Sequence, residues 1–189
     1  MQLFILGFSS VLVAQQGTQG VYLTADDFKS NKISYANNQS NEKYKLHLNE
    51  FFNAPTIKII KGDKIIKLKK DSIYGYHDKN NQSIRFYNKE EYTIINSSDN
   101  ILMYIKSSVE GDLKNRHLVT KYYFSVDANS PIYPLTKHNL RTSYYNNASF
   151  LKLMDVYFYN DNDLITYDYQ SKSYNLNRIY TNSKLESNK

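Results

Sequence analysis

The sequence contains no cysteine. That excludes disulfides, thiolate metal sites, a cysteine nucleophile and the acylated cysteine of a lipid-anchored lipoprotein. Glycine is scarce, at 6 of 189 residues, and neither a P-loop nor a dinucleotide fingerprint occurs, so no glycine cradle for a phosphate is expected. No G-x-S-x-G elbow and no H-E-x-x-H pair is present among the four histidines. The net charge is +6, but Lys and Arg are interspersed with Asp and Glu. Without a basic cluster, no nucleic-acid face is expected. Beyond the first fourteen residues no apolar run is long enough for a membrane-spanning helix. No metal and no cofactor is expected.

What remains is a chain of 189 residues, 41% hydrophobic, enough for one domain with a core and too few for two. Tyrosine is abundant, at 19, with 9 Phe and no Trp. Lys, Asn and Ile are frequent too, so an AT-rich coding bias accounts for most of the tyrosines. The rest are candidates for an amphipathic contact surface.

Met1–Ala14 is apolar, ends in small residues and is followed by two glutamines. It reads as a secretory signal peptide over residues 1–16, although no Lys or Arg follows Met1. One domain over 17–182 and a flexible tail over 183–189 are expected, with a periplasmic or extracellular location.

Thr24 and Asp27 resemble a capping box for a short helix over 25–30. From Tyr44 the pattern turns to strands. Gly62-Asp63 sets a two-residue hairpin pairing Ile57 with Leu68 and Ile59 with Ile66, with Lys58 opposite Lys67 on the solvent face. Ser72–Asn88 reads as a central hairpin with its turn at 78–82. Further strands are expected at 92–96, 101–106 and 118–126, with a polar connection over 107–117. After Pro134 the period becomes helical. Thr136 is an N-cap, Leu135 and Leu140 form a staple, and Phe150, Leu153, Met154 and Tyr157 make a stripe. The expected fold is α+β, an antiparallel meander or small barrel of about seven strands with C-terminal helices packed on it.

Gly20-Val21-Tyr22 with Thr24, Asp27 and Phe28 is one short motif. Ile73-Tyr74-Gly75-Tyr76, Arg85-Phe86-Tyr87, Tyr123-Phe124-Ser125 and Pro134-Leu135-Thr136 with Asn139-Leu140 are others. Together they resemble a family of uncharacterised secreted proteins of Bacteroidetes-type bacteria, over about the whole mature chain. The resemblance implies export and origin but no reaction. In such bacteria Asp71-Ser72-Ile73 also matches a short O-glycosylation acceptor pattern, which makes Ser72 a candidate modification site.

Chemistry is sparse. Asp161, Asp163 and Asp168 fail the calcium-loop pattern, because Ile165 and Thr166 occupy a ligand position and the glycine position. The leading expectation is a non-catalytic exported module that binds an envelope protein or a glycan. Its contacts would be Tyr74, Tyr76, Tyr87 and Tyr104 with Arg85, provided that the rings face outward. The alternative is a hydrolase-like enzyme using His77, Asp78 and Arg85 around the central hairpin.

Overall fold

A computed structural model describes residues 18–37, 44–48, 54–97, 100–112 and 114–187. The expected leader and the last two residues of the expected tail lie outside the described ones. Numbered in chain order, the strands are β1 Gly20–Tyr22, β2 Tyr44–His47, β3 Thr56–Lys61, β4 Lys64–Lys69, β5 Gly75–His77 and β6 Ser83–Tyr87. They continue with β7 Glu90–Ile94, β8 Leu102–Glu110, β9 His117–Ser125, β10 Tyr133–Pro134, β11 Tyr167–Asp168 and β12 Ser173–Tyr174. The helices are α1 Ala25–Lys29, α2 Lys137–Ser143, α3 Ala148–Tyr157 and α4 Asn175–Ser187.

Seven strands form one curled antiparallel sheet, a half-barrel in the order β1-β5-β6-β7-β8-β9-β10. With the C-terminal helices packed on it, the fold is α+β. β2, β3 and β4 form a separate three-stranded sheet. There the register is Ile57 with Leu68, Lys58 with Lys67 and Ile59 with Ile66, as the hairpin chemistry of Gly62 requires. The Ser72–Asn88 hairpin forms the second and third strands of the half-barrel rather than its middle. Its outer neighbour is β1, paired through Val21 and Tyr76. A short 3-10 turn at Lys70–Ser72 carries the chain from one sheet to the other.

Antiparallel partners share a face, so the register sorts the side chains. His77 opposite Ser83, and Gly75 opposite Arg85 and then Tyr92, lie on one face with Tyr22, Tyr104 and Ser125. α1 and the segment 128–132 cover that face, with Phe28, Ala128 and Ile132 packed against Tyr22, Tyr74 and Tyr104. The opposite face carries Tyr76, Ile84 and Phe86, packed under Ile57 and Ile59 of the small sheet. Farther along, Met103 and Phe124 on that face meet Leu140, Phe150, Met154, Leu164, Leu176 and Ile179. The half-barrel is therefore covered on both faces at these clusters, while the far ends of β8 and β9 are exposed.

Local signals shape the helices. Thr24 and Asp27 form a reciprocal capping box on α1. Thr136 and Asn147 cap α2 and α3, and Leu135 and Leu140 lie in one cluster. Two stretches differ from expectation. The polar 107–117 connection is shorter than expected, because β8 runs on through Glu110 and β9 begins at His117, held by Ser107 to Thr120 at 3.0 Å and Lys121 to Glu110 at 2.6 Å. The expected tail begins inside a helix, since α4 runs to Ser187 with Ser183 buried. Its buried stripe of Leu176, Ile179 and Ser183 is masked in sequence by Asn, Ser and Lys.

Candidate functional site

The turn of the β5–β6 hairpin is built by Asp78, whose carboxylate accepts from the N–H groups of Asn80 at 2.9 Å and Gln82 at 2.8 Å. Asn81 takes a positive φ of 62° there, a conformation asparagine tolerates. This geometry brings three side chains together. His77 Nδ1 lies 3.0 Å from Ser83 Oγ, and His77 Nε2 lies 3.1 Å from Asn81 Oδ1. β1 adds Tyr22, whose phenol donates to Asn31 Oδ1 at 3.1 Å and sits 3.4 Å from both His77 Nδ1 and Ser83 Oγ. Burial raises the Tyr22 pKa, against the opposing Ser83 bond, so the group keeps its proton.

These groups line an open cleft of about 850 Å³ between α1, the residues after it and the hairpin. Phe28, Ile33, Ile94 and Ile95 form its apolar wall, and Gln82, Thr18 and Ser97 extend its polar rim. Among the described residues that line it none is Asp or Glu, and Lys29 is the charged one. Lys29 is already paired with Asp26 at 3.4 Å.

The residues expected to carry function are dispersed. Arg85 is buried deeper on the same face, donating to Tyr104 Oη at 2.9 Å and to the Ser130 carbonyl at 2.8 Å. Its guanidinium lies over the rings of Tyr74 at 5.2 Å and Tyr87 at 5.5 Å. Among the described residues no carboxylate pairs with it. Tyr104 is fully buried, and Tyr74 is buried with a phenol that has no hydrogen-bond partner among the described residues. Burial and the neighbouring Tyr104 push the Tyr74 pKa far up. Tyr76 is buried on the opposite face, donating to Glu91 at 3.0 Å, and Glu91 in turn holds the buried Lys70 at 2.7 Å. Tyr87 is half-buried. The outward orientation required for a contact role is thus met by none of Tyr74, Tyr76 and Tyr104. Of the residues named for a hydrolase, His77 faces the cleft, Asp78 is spent on the turn and Arg85 is enclosed.

Ser72 is exposed in the 3-10 turn, with its hydroxyl donating to the Lys69 carbonyl at 2.9 Å. Asp163 and Asp168 accept locally from the backbone N–H groups of Asn160 and Gln170, and Asp161 accepts from the N–H of Lys137 at the start of α2. Among the described residues no helix is long and apolar enough to cross a membrane.

Sequence reasoning did not single out Tyr22, Asn31, Asn81 or Ser83. The hairpin register alone would have placed Ser83 opposite His77. Tyr22 and Asn31 join only through the pairing of β1 with β5, which no local pattern announces. No family model matches the chain, and no curated protein or solved structure matches it either.

Proposed function

We propose that the chain is an exported binding module of the cell envelope whose ligand, a neutral polar molecule of the glycan class, occupies the cleft beside α1. The carrying observation is the convergence of Tyr22, Asn31, His77, Asn81 and Ser83 in a cleft whose described lining holds no carboxylate. Phenol, amide, imidazole and hydroxyl groups both donate and accept, which suits a ligand dense in hydroxyls. A glycosidase would need two carboxylates across the scissile bond, and none of the described lining residues supplies one. A cation would lack anionic ligands, and an anion would find Lys29 already paired with Asp26. Export is supported by the apolar Met1–Ala14 segment, and the secreted family by the aromatic motifs that resemble it.

Calorimetric titration with a panel of neutral oligosaccharides tests this reading. The Tyr22→Phe variant deletes the phenol that links Asn31 to the hairpin. Its affinity should fall about tenfold, the equivalent of one hydrogen bond of about 1.4 kcal/mol. A panel that shows no binding, or equal binding to wild type and variant, contradicts the proposal.

A further inference from the structure

We infer that Ser83 is an acyl-accepting nucleophile with His77 as its general base, and that the ligand class of the cleft includes esters, such as O-acylated saccharides. The inference rests on the cleft being the ligand site. It begins with proton inventory. Asn81 Oδ1 can only accept, so the His77 Nε2 that it meets at 3.1 Å carries the imidazole proton. Nδ1 is then a lone-pair acceptor, and the hydroxyl 3.0 Å away belongs to Ser83. A nucleophile bonded to a base, which is itself oriented by a third group, is the arrangement that activates a serine. The cleft supplies access to it.

Tyr22 completes the set. Its phenol is 3.4 Å from both the attacking oxygen and the base and gives its one proton to Asn31 Oδ1, so it would serve a developing oxyanion beside Ser83 by turning that O–H away from Asn31. Asn81 is a positioning residue, since it acts through the imidazole. As an amide it fixes the tautomer but lends no charge to an imidazolium. Turnover should therefore be slow and confined to activated acyl groups.

The step balances with water alone. The Ser83 O–H bond breaks as its proton passes to His77 Nδ1, and Oγ bonds to the acyl carbon. Collapse breaks the bond from carbon to the leaving oxygen, which takes the proton from Nδ1. Water then repeats the sequence against the acyl-serine and releases the acid. A fluorophosphonate traps the first half, forming an Oγ–P bond as the P–F bond breaks.

The full chain is incubated with a fluorophosphonate and, separately, with p-nitrophenyl acetate, then examined by intact mass and peptide mapping. A single adduct on Ser83 is expected. It should be absent in Ser83→Ala and slowed by about a hundredfold in His77→Gln, the ordinary scale of general-base assistance. Asn81→Asp restores the missing charge at a position that tolerates positive φ, so it should speed acylation and shift its pH profile. No adduct, or labelling scattered over lysines and tyrosines, overturns the inference, and the wild-type peptide map decides this without any variant. An Asn81→Asp protein that folds but leaves rate and profile unchanged removes Asn81 from the mechanism. Calorimetry of the wild type with non-reactive oligosaccharides separates the two ideas. Binding without labelling ends the nucleophile, and labelling without binding ends the glycan reading alone.

Discussion

Arg85 offers the sharpest test of how the half-barrel is held. Arg85 is 5% exposed, and its guanidinium bonds Tyr104 Oη, the Ser130 carbonyl and, at 3.4 Å, Ser125 Oγ and lies against the rings of Tyr74, Tyr87 and Tyr104. Arg85→Ala removes these bonds, leaves the Ser130 carbonyl without its donor and opens a cavity. Charge-assisted bonds of about 1.5–3 kcal/mol each, offset by relief of the desolvation cost, give a net loss of about 3–5 kcal/mol. Arg85→Met keeps most of the buried volume and removes the charge, so its loss should be only about 1–2 kcal/mol. Urea unfolding of wild type and both variants measures the difference through the transition midpoints. Amide exchange should also accelerate over 128–132 in both variants, because Arg85 ties that segment to the sheet. An alanine variant within about 1 kcal/mol of wild type, or a methionine variant less stable than alanine, would refute the reasoning.

Other outcomes follow from the same packing. Gly75→Ala would place a Cβ 1.9 Å from the Ile84 carbonyl oxygen and 3.0 Å from Arg85 Cα, backbone atoms that cannot rotate away. It should cost at least about 3 kcal/mol, the upper end of overpacking, and a wild-type melting temperature would contradict the β5–β6 spacing. Asn177 accepts from the Ile101 N–H at 2.8 Å and donates to the Ile101 carbonyl at 3.2 Å. Asn177→Ala leaves the buried Ile101 N–H unsatisfied, while the Ile101 carbonyl keeps its bond from Asn96 Nδ2 at 2.7 Å, so a loss of about 1–3 kcal/mol and faster exchange at Ile101 are expected. Burial pushes Asp127 up, but bonds from Ser130 and the N–H groups of Asn129 and Ser130 outweigh it and hold its pKa below the ordinary value. Its contribution to stability is therefore complete above the unfolded carboxylate value of about 3.9 and is lost as pH falls through the lower folded value. Asp127→Asn should flatten the acid limb of the stability profile, and an unchanged limb would assign that loss to other carboxylates.

The legible parts of the chain are those decided within a few residues. The capping box at Thr24, the N-cap at Thr136 and the hairpin at Gly62 each follow from local chemistry, and each stands as read. Long-range pairing was not legible. Three residues of β1, preceding a helix signal, become the edge of the half-barrel, and their arrival supplies Tyr22 to the cleft. The orientation of the tyrosines was hidden for a related reason. Alternation separates inside from outside only when one face of a sheet meets water. Here α1 and 128–132 cover one face while the small sheet and the helices cover the other, so Tyr74, Tyr76 and Tyr104 are all interior. His77 drew notice beside Asp78, its neighbour in sequence, yet its partners are Ser83 across the strand pair and Asn81 in the turn.

The most direct measurement of the ligand site is an amide-resolved NMR titration of the isotopically labelled chain with a neutral oligosaccharide that binds in calorimetry. The cleft as ligand site requires shifts concentrated at Tyr22, Asn31, His77, Asn81 and Ser83. The largest shifts falling instead at the exposed Tyr159 and Tyr169 would contradict it and move the binding site to the C-terminal surface.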